Sequence, residues 1–231
     1  MTSPIRLRDS DFVAAGGGRM VFQHPERPEL LIKVLRPERL VANGANKEKW
    51  LRRLLRPLSR THRRFGPYRE WFLEHEEYIA ILNRTRTIPD FVAGYHGFVD
   101  TDRGLGMIVE RITAPNGAIA PTLHKVLRAD GEGMPLAPLI DALFDRVGAA
   151  RAVLKDVTTR NIVLGVHPHD RSLRLVVVDG LSDPTVLRVK TWSQAAYRHW
   201  LARHRAELRA RVGSARCAGF EISAPVAGPG A

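Results

Sequence analysis

The chain has 231 residues, enough for one well-packed domain or two closely associated lobes and too few for independent domains on either side of a long linker. An apolar fraction of 44% suits a globular core, and a single cysteine, Cys217, excludes an intrachain disulfide framework and a cysteine-based zinc site. The formal net charge is +12, concentrated from Arg36 to Arg69, where only Glu38 and Glu48 oppose it, and again from Arg188 to Arg216. Such a field favours an anionic partner: a nucleotide, a phosphorylated sugar, a nucleic acid or a membrane surface. No zinc-finger spacing or GXXG clamp accompanies the charge, which argues against specific nucleic-acid recognition. The opening MTSPIRLRDSDF has no apolar h-region and no run of apolar residues is long enough to span a bilayer, so the expected compartment is the cytoplasm.

In chain order, Asp11–Ala15 leads into Gly16-Gly17-Gly18-Arg19, Met20–Gln23 reads as a strand, His24–Glu29 as a Pro-rich hairpin turn, and Leu30–Leu35 as a second strand. The basic stretch 36–69, interrupted by Pro37, Pro57 and Pro67, predicts one helix around Lys47–Leu55. Arg69–Asn83 has an amphipathic helical pattern in Trp71, Phe72, Tyr78, Ile79 and Leu82. Ile88–Val99 reads as turn and strand, and Asp100–Gly104 as a hairpin turn into a strand from Leu105 to Ile112. Pro115-Asn116-Gly117 breaks the pattern. Leu136–Ala152 predicts a helix, Ile162–Val166 and Leu173–Val178 strands, and Thr191–Val212 a final helix, with a frayed tail after it. The division expected is a sheet-rich N-terminal region, 1–112, carrying the basic helical insertion 36–69, a mainly helical region, 113–216, and a flexible tail, 217–231.

Four features bear on chemistry. Consecutive glycines at 16–18 between strands expose backbone N–H groups to phosphate oxygens, although no Gly-Lys-Ser/Thr follows and a strand rather than a helix comes next, so the turn is neither a P-loop nor a dinucleotide-binding fingerprint. Lys33 lies within an apolar strand, where its charge needs a carboxylate. The helix offers Glu70, Glu74, Glu76 and Glu77. Glu76 is favoured because Ile79 and Leu82 follow it at core-facing spacing, with Glu74 and Glu77 as alternatives. Finally, Asp156 and Asn161 occupy a polar loop between a helix and a strand, and Asp179 ends the apolar run Leu175–Val178, where a carboxylate reaches a hard cation without being buried unpaired.

The order of glycine turn, strand lysine, helix glutamate, Asp-x4-Asn and strand-Asp-Gly resembles the protein-kinase signature set. Asp156 and Asn161 match that family's catalytic Asp and metal-binding Asn, and Asp179-Gly180 matches the start of its Asp-Phe-Gly motif. More closely, the chain is similar to the bacterial PhoP-regulatory-network, YrbL-like family. The shared residues are Gly16-x-Gly18-Arg19, Gln23-His24-Pro25-Glu26, Leu31-Ile32-Lys33-Val34, Ile88-Pro89, Tyr95-His96-Gly97, Asn161-Ile162 and Thr191-Trp192-Ser193. Several residues depart from the kinase pattern. Leu154 and Lys155 replace the His-Arg before the catalytic Asp, Thr158 replaces the lysine two residues after it, Val21 replaces the third loop glycine, Leu181 ends the Asp-Phe-Gly position, and no Ala-Pro-Glu segment follows.

The resemblance implies an α+β, compact two-lobed protein-kinase-like fold with a small antiparallel sheet lobe and a reduced helical lobe. It implies ATP and Mg2+ as cofactors and transfer of a phosphoryl group to a hydroxyl of an anionic small-molecule, glycan or lipid-linked acceptor. Gly16, Gly17, Gly18 and Arg19 would cover the phosphates, Lys33 held by Glu76 would bridge them, and the Glu110 backbone would meet adenine. Asn161 and Asp179 would hold the metal, and Asp156 would orient the acceptor. The alternative is a nucleotide-binding pseudokinase or regulatory adaptor without phosphotransfer, its basic stretch in peripheral contact with an anionic surface. An RNA-associated basic protein would explain the charge and leave the Lys33, Asp156, Asn161 and Asp179 quartet to coincidence.

Overall fold

The computed structural model describes residues 3–41, 64–129, 133–168, 170–182, 193–213 and 215–218. The helix expected at Lys47–Leu55, the Thr191-Trp192 pair and the segment 219–231 lie outside the described residues. The protein is mixed α/β, with separate sheet and helix regions, and divides into two units. The first comprises Met1–His75 and Gly94–Arg111, the second Glu76–Ala93 and Ile112–Ala231. Residues 76–93, placed with the N-terminal region on sequence, group with the second unit.

The first unit is built on an antiparallel sheet of order β1-β2-β3-β5-β4, formed by β1 (Phe12–Ala15), β2 (Arg19–Gln23), β3 (Leu30–Leu35), β4 (Tyr95–Thr101) and β5 (Gly104–Glu110). Strand alternation gives it two apolar faces. Phe22, Ile32 and Val34 meet Leu7 on one side, because the N-terminal segment runs along β4, with Ile5 donating to the Asp100 carbonyl at 2.9 Å. Leu35, Met107 and Val109 meet Trp71 on the other, where the first turns of helix α2 (Arg69–Thr85) lie. A short helix α1 (Pro37–Val41) follows β3.

Two residues, Gly106 and His24, shape this sheet and its turn. Gly106 sits where a side-chain methyl would approach Ile32 Cγ2 at 2.7 Å, so strand β5 can lie close only without a Cβ. The β2–β3 turn is organised by His24, 6% exposed, whose Nδ1 accepts the N–H groups of Glu26 and Arg27, each at 3.2 Å. An imidazole can do this only when that nitrogen carries no proton. Burial lowers the His24 pKa from its ordinary value, which favours the same neutral form.

The second unit contains the rest of α2 from Glu76, a short helix α3 (Leu123–Val126), strand β6 (Gly133–Pro135), helix α4 (Ala137–Ala149), the hairpin β7 (Ile162–Val166) and β8 (Leu173–Val177), helix α5 (Gln194–Val212) and strand β9 (Arg216–Ala218). Strands β7 and β8 are buried along their whole length, Arg174 of β8 included. Helix α4 buries Ile140, Leu143, Phe144 and Val147, and α5 begins at a Ser193 cap whose hydroxyl accepts the Ala196 N–H. The Tyr197 hydroxyl donates toward two carbonyls, those of Val147 and Ala152, at 2.9 and 3.1 Å, tying α5 to the end of α4. Strand β9 pairs with β6, so ordered pairing continues past the expected boundary at 216. Among the described residues no helix is long and apolar enough to cross a membrane.

Candidate functional site

In the first unit the glycine run forms the tip of the β1–β2 hairpin, closed by the Gly16 N–H on the Arg19 carbonyl at 2.9 Å. Gly16 and Gly17 are exposed with open space where side chains would be, while a Cβ on Gly18 would meet the Arg39 guanidinium at 3.3 Å. The backbone of the turn is therefore approachable from solvent. Arg19, expected with the glycines at the tip, points inward and is 7% exposed. Its guanidinium clamps Glu74 through Nη2–Oε1 at 2.6 Å and Nη1–Oε2 at 3.2 Å, with Glu70 at 3.7 Å. The Tyr95 hydroxyl donates to Glu74 Oε2 at 3.3 Å.

Lys33 is 6% exposed and faces Val21 and Met107 across the sheet. By alternation its side chain shares a face with Arg19, Leu35 and Met107, the face on which Trp71 packs. Glu74, 2% exposed, is the buried carboxylate of the helix turns on that face. The reason for favouring Glu76 does not hold, because Ile79 is 62% exposed and Glu76 is half-buried. The inward stripe runs instead through Trp71, Glu74, Tyr78 and Ile81. Glu74 lies three residues after Trp71 and four before Tyr78, a spacing that reading from the two large aromatics would have found. Glu77, also buried, belongs to the second unit, where it bonds Arg84 at 3.0 Å and the Val153 N–H at 3.3 Å. Glu110 is turned back on its own neighbourhood: its N–H donates to the Gly94 carbonyl at 2.8 Å and its carboxylate accepts the Gly94 N–H at 3.0 Å. An adenine contact at this residue would therefore fall to its carbonyl.

In the second unit the fold brings Asp156, Asn161 and the Asp179-Gly180 pair together. The Asn161 side-chain amide donates to the Asp156 carbonyl at 3.2 Å and to its carboxylate at 3.3 Å. The Asn161 carbonyl accepts the Val178 N–H at 2.9 Å, and the Lys155 N–H donates to the Gly180 carbonyl at 2.7 Å. Gly180 has φ of 87°, a left-handed turn that glycine permits, and lies against the Asp156 backbone. Asp156 is exposed and Asp179 half-buried. The Thr159 carbonyl accepts the His124 N–H at 2.8 Å, which places α3 beside the loop.

Asn161 and Asp179 offer an amide oxygen and a carboxylate, hard donors of the kind magnesium accepts alongside phosphate and water oxygens. Among the described residues no three His, Cys, Asp or Glu side chains are grouped to hold a metal ion. No curated protein matches the chain. The family model described as PhoP regulatory network protein YrbL matches residues 5–213, and the chain belongs to that family.

Proposed function

We propose that the protein is a nucleotide-binding regulatory protein with a two-lobed protein-kinase-like fold, working as an adaptor without phosphotransfer. The fold reading is supported by the order of glycine turn, sheet lysine, helix glutamate, Asp-x4-Asn loop and Asp-Gly, together with a family whose description is of a regulatory network. Gly16–Gly18 and Lys33 would receive phosphate oxygens, and the Glu110 carbonyl would receive the adenine. Asn161 and Asp179 would hold magnesium, which when bound neutralises phosphate charge. The observation that carries the regulatory reading is the Arg19–Glu74 clamp. The arginine that follows the glycines is fixed to the helix rather than held out over the phosphates, so occupancy of the turn is coupled to the position of α2. Thr158 in place of a lysine also leaves the loop around Asp156 one cation short for stabilising a transferring phosphoryl group.

A second reading, ATP- and magnesium-dependent transfer to a hydroxyl of a small-molecule, glycan or lipid-linked acceptor, is favoured by the junction of Asp156, Asn161 and Asp179-Gly180. There Asp156, exposed and oriented by Asn161, would position the acceptor hydroxyl and take its proton late in the reaction. Calorimetry with ATP and ADP, with and without magnesium, is expected to show saturable binding that Lys33→Met abolishes; no binding of either nucleotide would remove both readings. Incubation with γ-labelled ATP and metabolite and lipid extracts is expected to give no label transfer that Asp156→Asn removes. Transfer lost in that variant would establish the second reading.

A further inference from the structure

Within the second unit, the end of α2, the loop to Phe91 and the end of α4 enclose an open cavity of about 280 Å³. That is just below the range of small-ligand sites, roughly 300 to 1,000 Å³, and suits one compact molecule. Its floor is apolar and fixed: Ile81, Phe91 and Ala150 are all buried. Ile88 stands beside it at 73% exposure, a large apolar side chain that an occupant would cover.

The wall also carries one acid and one base. Arg146 Nη1 donates to Asp90 Oδ2 at 3.1 Å, and Arg146 Nε donates to the Ala142 carbonyl of its own helix at 3.1 Å. The backbone of Asp90 is held in turn by buried Arg174, whose guanidinium donates to the Asp90 carbonyl. Both side chains stay accessible, Asp90 at 41% and Arg146 at 30%. Among the described residues, Asp90 Oδ1 and Arg146 Nη2 make no bond within the protein. An apolar hollow therefore opens beside a carboxylate and a guanidinium at fixed separation, each with one hydrogen-bonding atom available.

A ligand that complements all three elements carries an ammonium, a carboxylate and a bulky apolar group on one centre. We propose that this cavity binds a free apolar α-amino acid of the size of leucine, isoleucine or phenylalanine. The ammonium donates to Asp90 Oδ1, the carboxylate accepts from Arg146 Nη2, and the side chain lies on Ile81, Phe91 and Ile88. Both charged contacts are charge-assisted, and neither end can be dropped without leaving a partner unmatched. A purely anionic apolar ligand would meet the Asp90 carboxylate, and a purely cationic one the guanidinium.

The test is calorimetry and thermal denaturation of the full chain with L-leucine, L-isoleucine and L-phenylalanine at millimolar concentration. Saturable stabilisation is expected. Leucinamide, which lacks the carboxylate, and N-acetyl-L-leucine, which lacks the ammonium, are each expected to bind about tenfold or more weakly than L-leucine. Asp90→Asn should produce a similar loss, and Ala149→Trp, which fills the hollow from its exposed side, should abolish binding while the circular dichroism melt stays that of a folded protein. The proposal is overturned if none of the three amino acids stabilises the chain. It is equally overturned if N-acetyl-L-leucine binds as tightly as L-leucine, which would mark a site for a peptide C-terminus, or if folded Ala149→Trp binds like the wild type.

Discussion

At the scale of single residues, His24 and Arg19 carry the clearest consequences. The His24 turn works only with an unprotonated Nδ1, and its folded-state pKa lies below the ordinary 6.5. Between the two values the unfolded chain binds more protons than the folded one. The histidine therefore contributes its full stabilisation above about pH 6.5 and loses it progressively as the pH falls below that. Urea denaturation from pH 7.5 to 5 should show this slope, and His24→Asn, which keeps an acceptor and cannot protonate, should flatten it; an unchanged slope in the variant would assign the pH dependence elsewhere. For the clamp, Arg19→Met takes the guanidinium away from the buried Glu74 carboxylate, which keeps the Tyr95 hydroxyl, and should cost about 3 to 5 kcal/mol. Arg19→Met with Glu74→Leu, which removes both charges, should recover most of that loss in the same equilibrium denaturation. An equally unstable double variant would mean that packing, not the unpaired charge, sets the cost.

At the scale of elements, the strands were legible because their residues are apolar in continuous or alternating runs. Leu30–Leu35 and Ile162–Val166 stand where the sequence placed them, and the helix expected over 69–83 is observed at Arg69–Thr85. Its inward face was not legible, for a physical reason. A helical pattern with apolar residues on more than one side leaves the choice of face to the partners, and the buried carboxylate at 74 is explained by an arginine far upstream, which no local spacing reveals. Ile79 is apolar and outward, so spacing counted from it does not mark the inward face. Tyr197 shows a second connection invisible in sequence, a hydroxyl bridging the end of α4 to α5. Burial, with Glu77 nearby adding to it, pushes its pKa up, keeping the donor proton in place at any ordinary pH. Tyr197→Phe should lower stability by about 1 to 2 kcal/mol, read as a lower urea midpoint at unchanged slope; a loss below half a kcal/mol would show that solvent substitutes for the hydroxyl.

For the molecule as a whole, the family was legible from the order of motifs, none of which was decisive alone, and the match over residues 5–213 establishes it. The charge was less informative, because +12 welcomes any anion. Lys33→Met should abolish ATP binding with or without magnesium, whereas Asp179→Asn should remove only the increment that magnesium adds. Titration calorimetry in both conditions separates these outcomes, and an Asp179→Asn variant with an intact magnesium increment would move the metal ligand elsewhere.

The pairing of β6 with β9 also bears on how the chain is made. The second unit closes on itself through Gly133–Pro135 and Arg216–Ala218, segments on either side of both α4 and α5. During synthesis β6 must therefore wait until residue 218 has cleared the ribosomal tunnel, whereas every strand of the five-stranded sheet has been translated well before then. A nascent chain stalled just short of Arg216 would hold a translated first unit and an unfinished second one with β6 still open. That intermediate is where an exposed strand would recruit a chaperone.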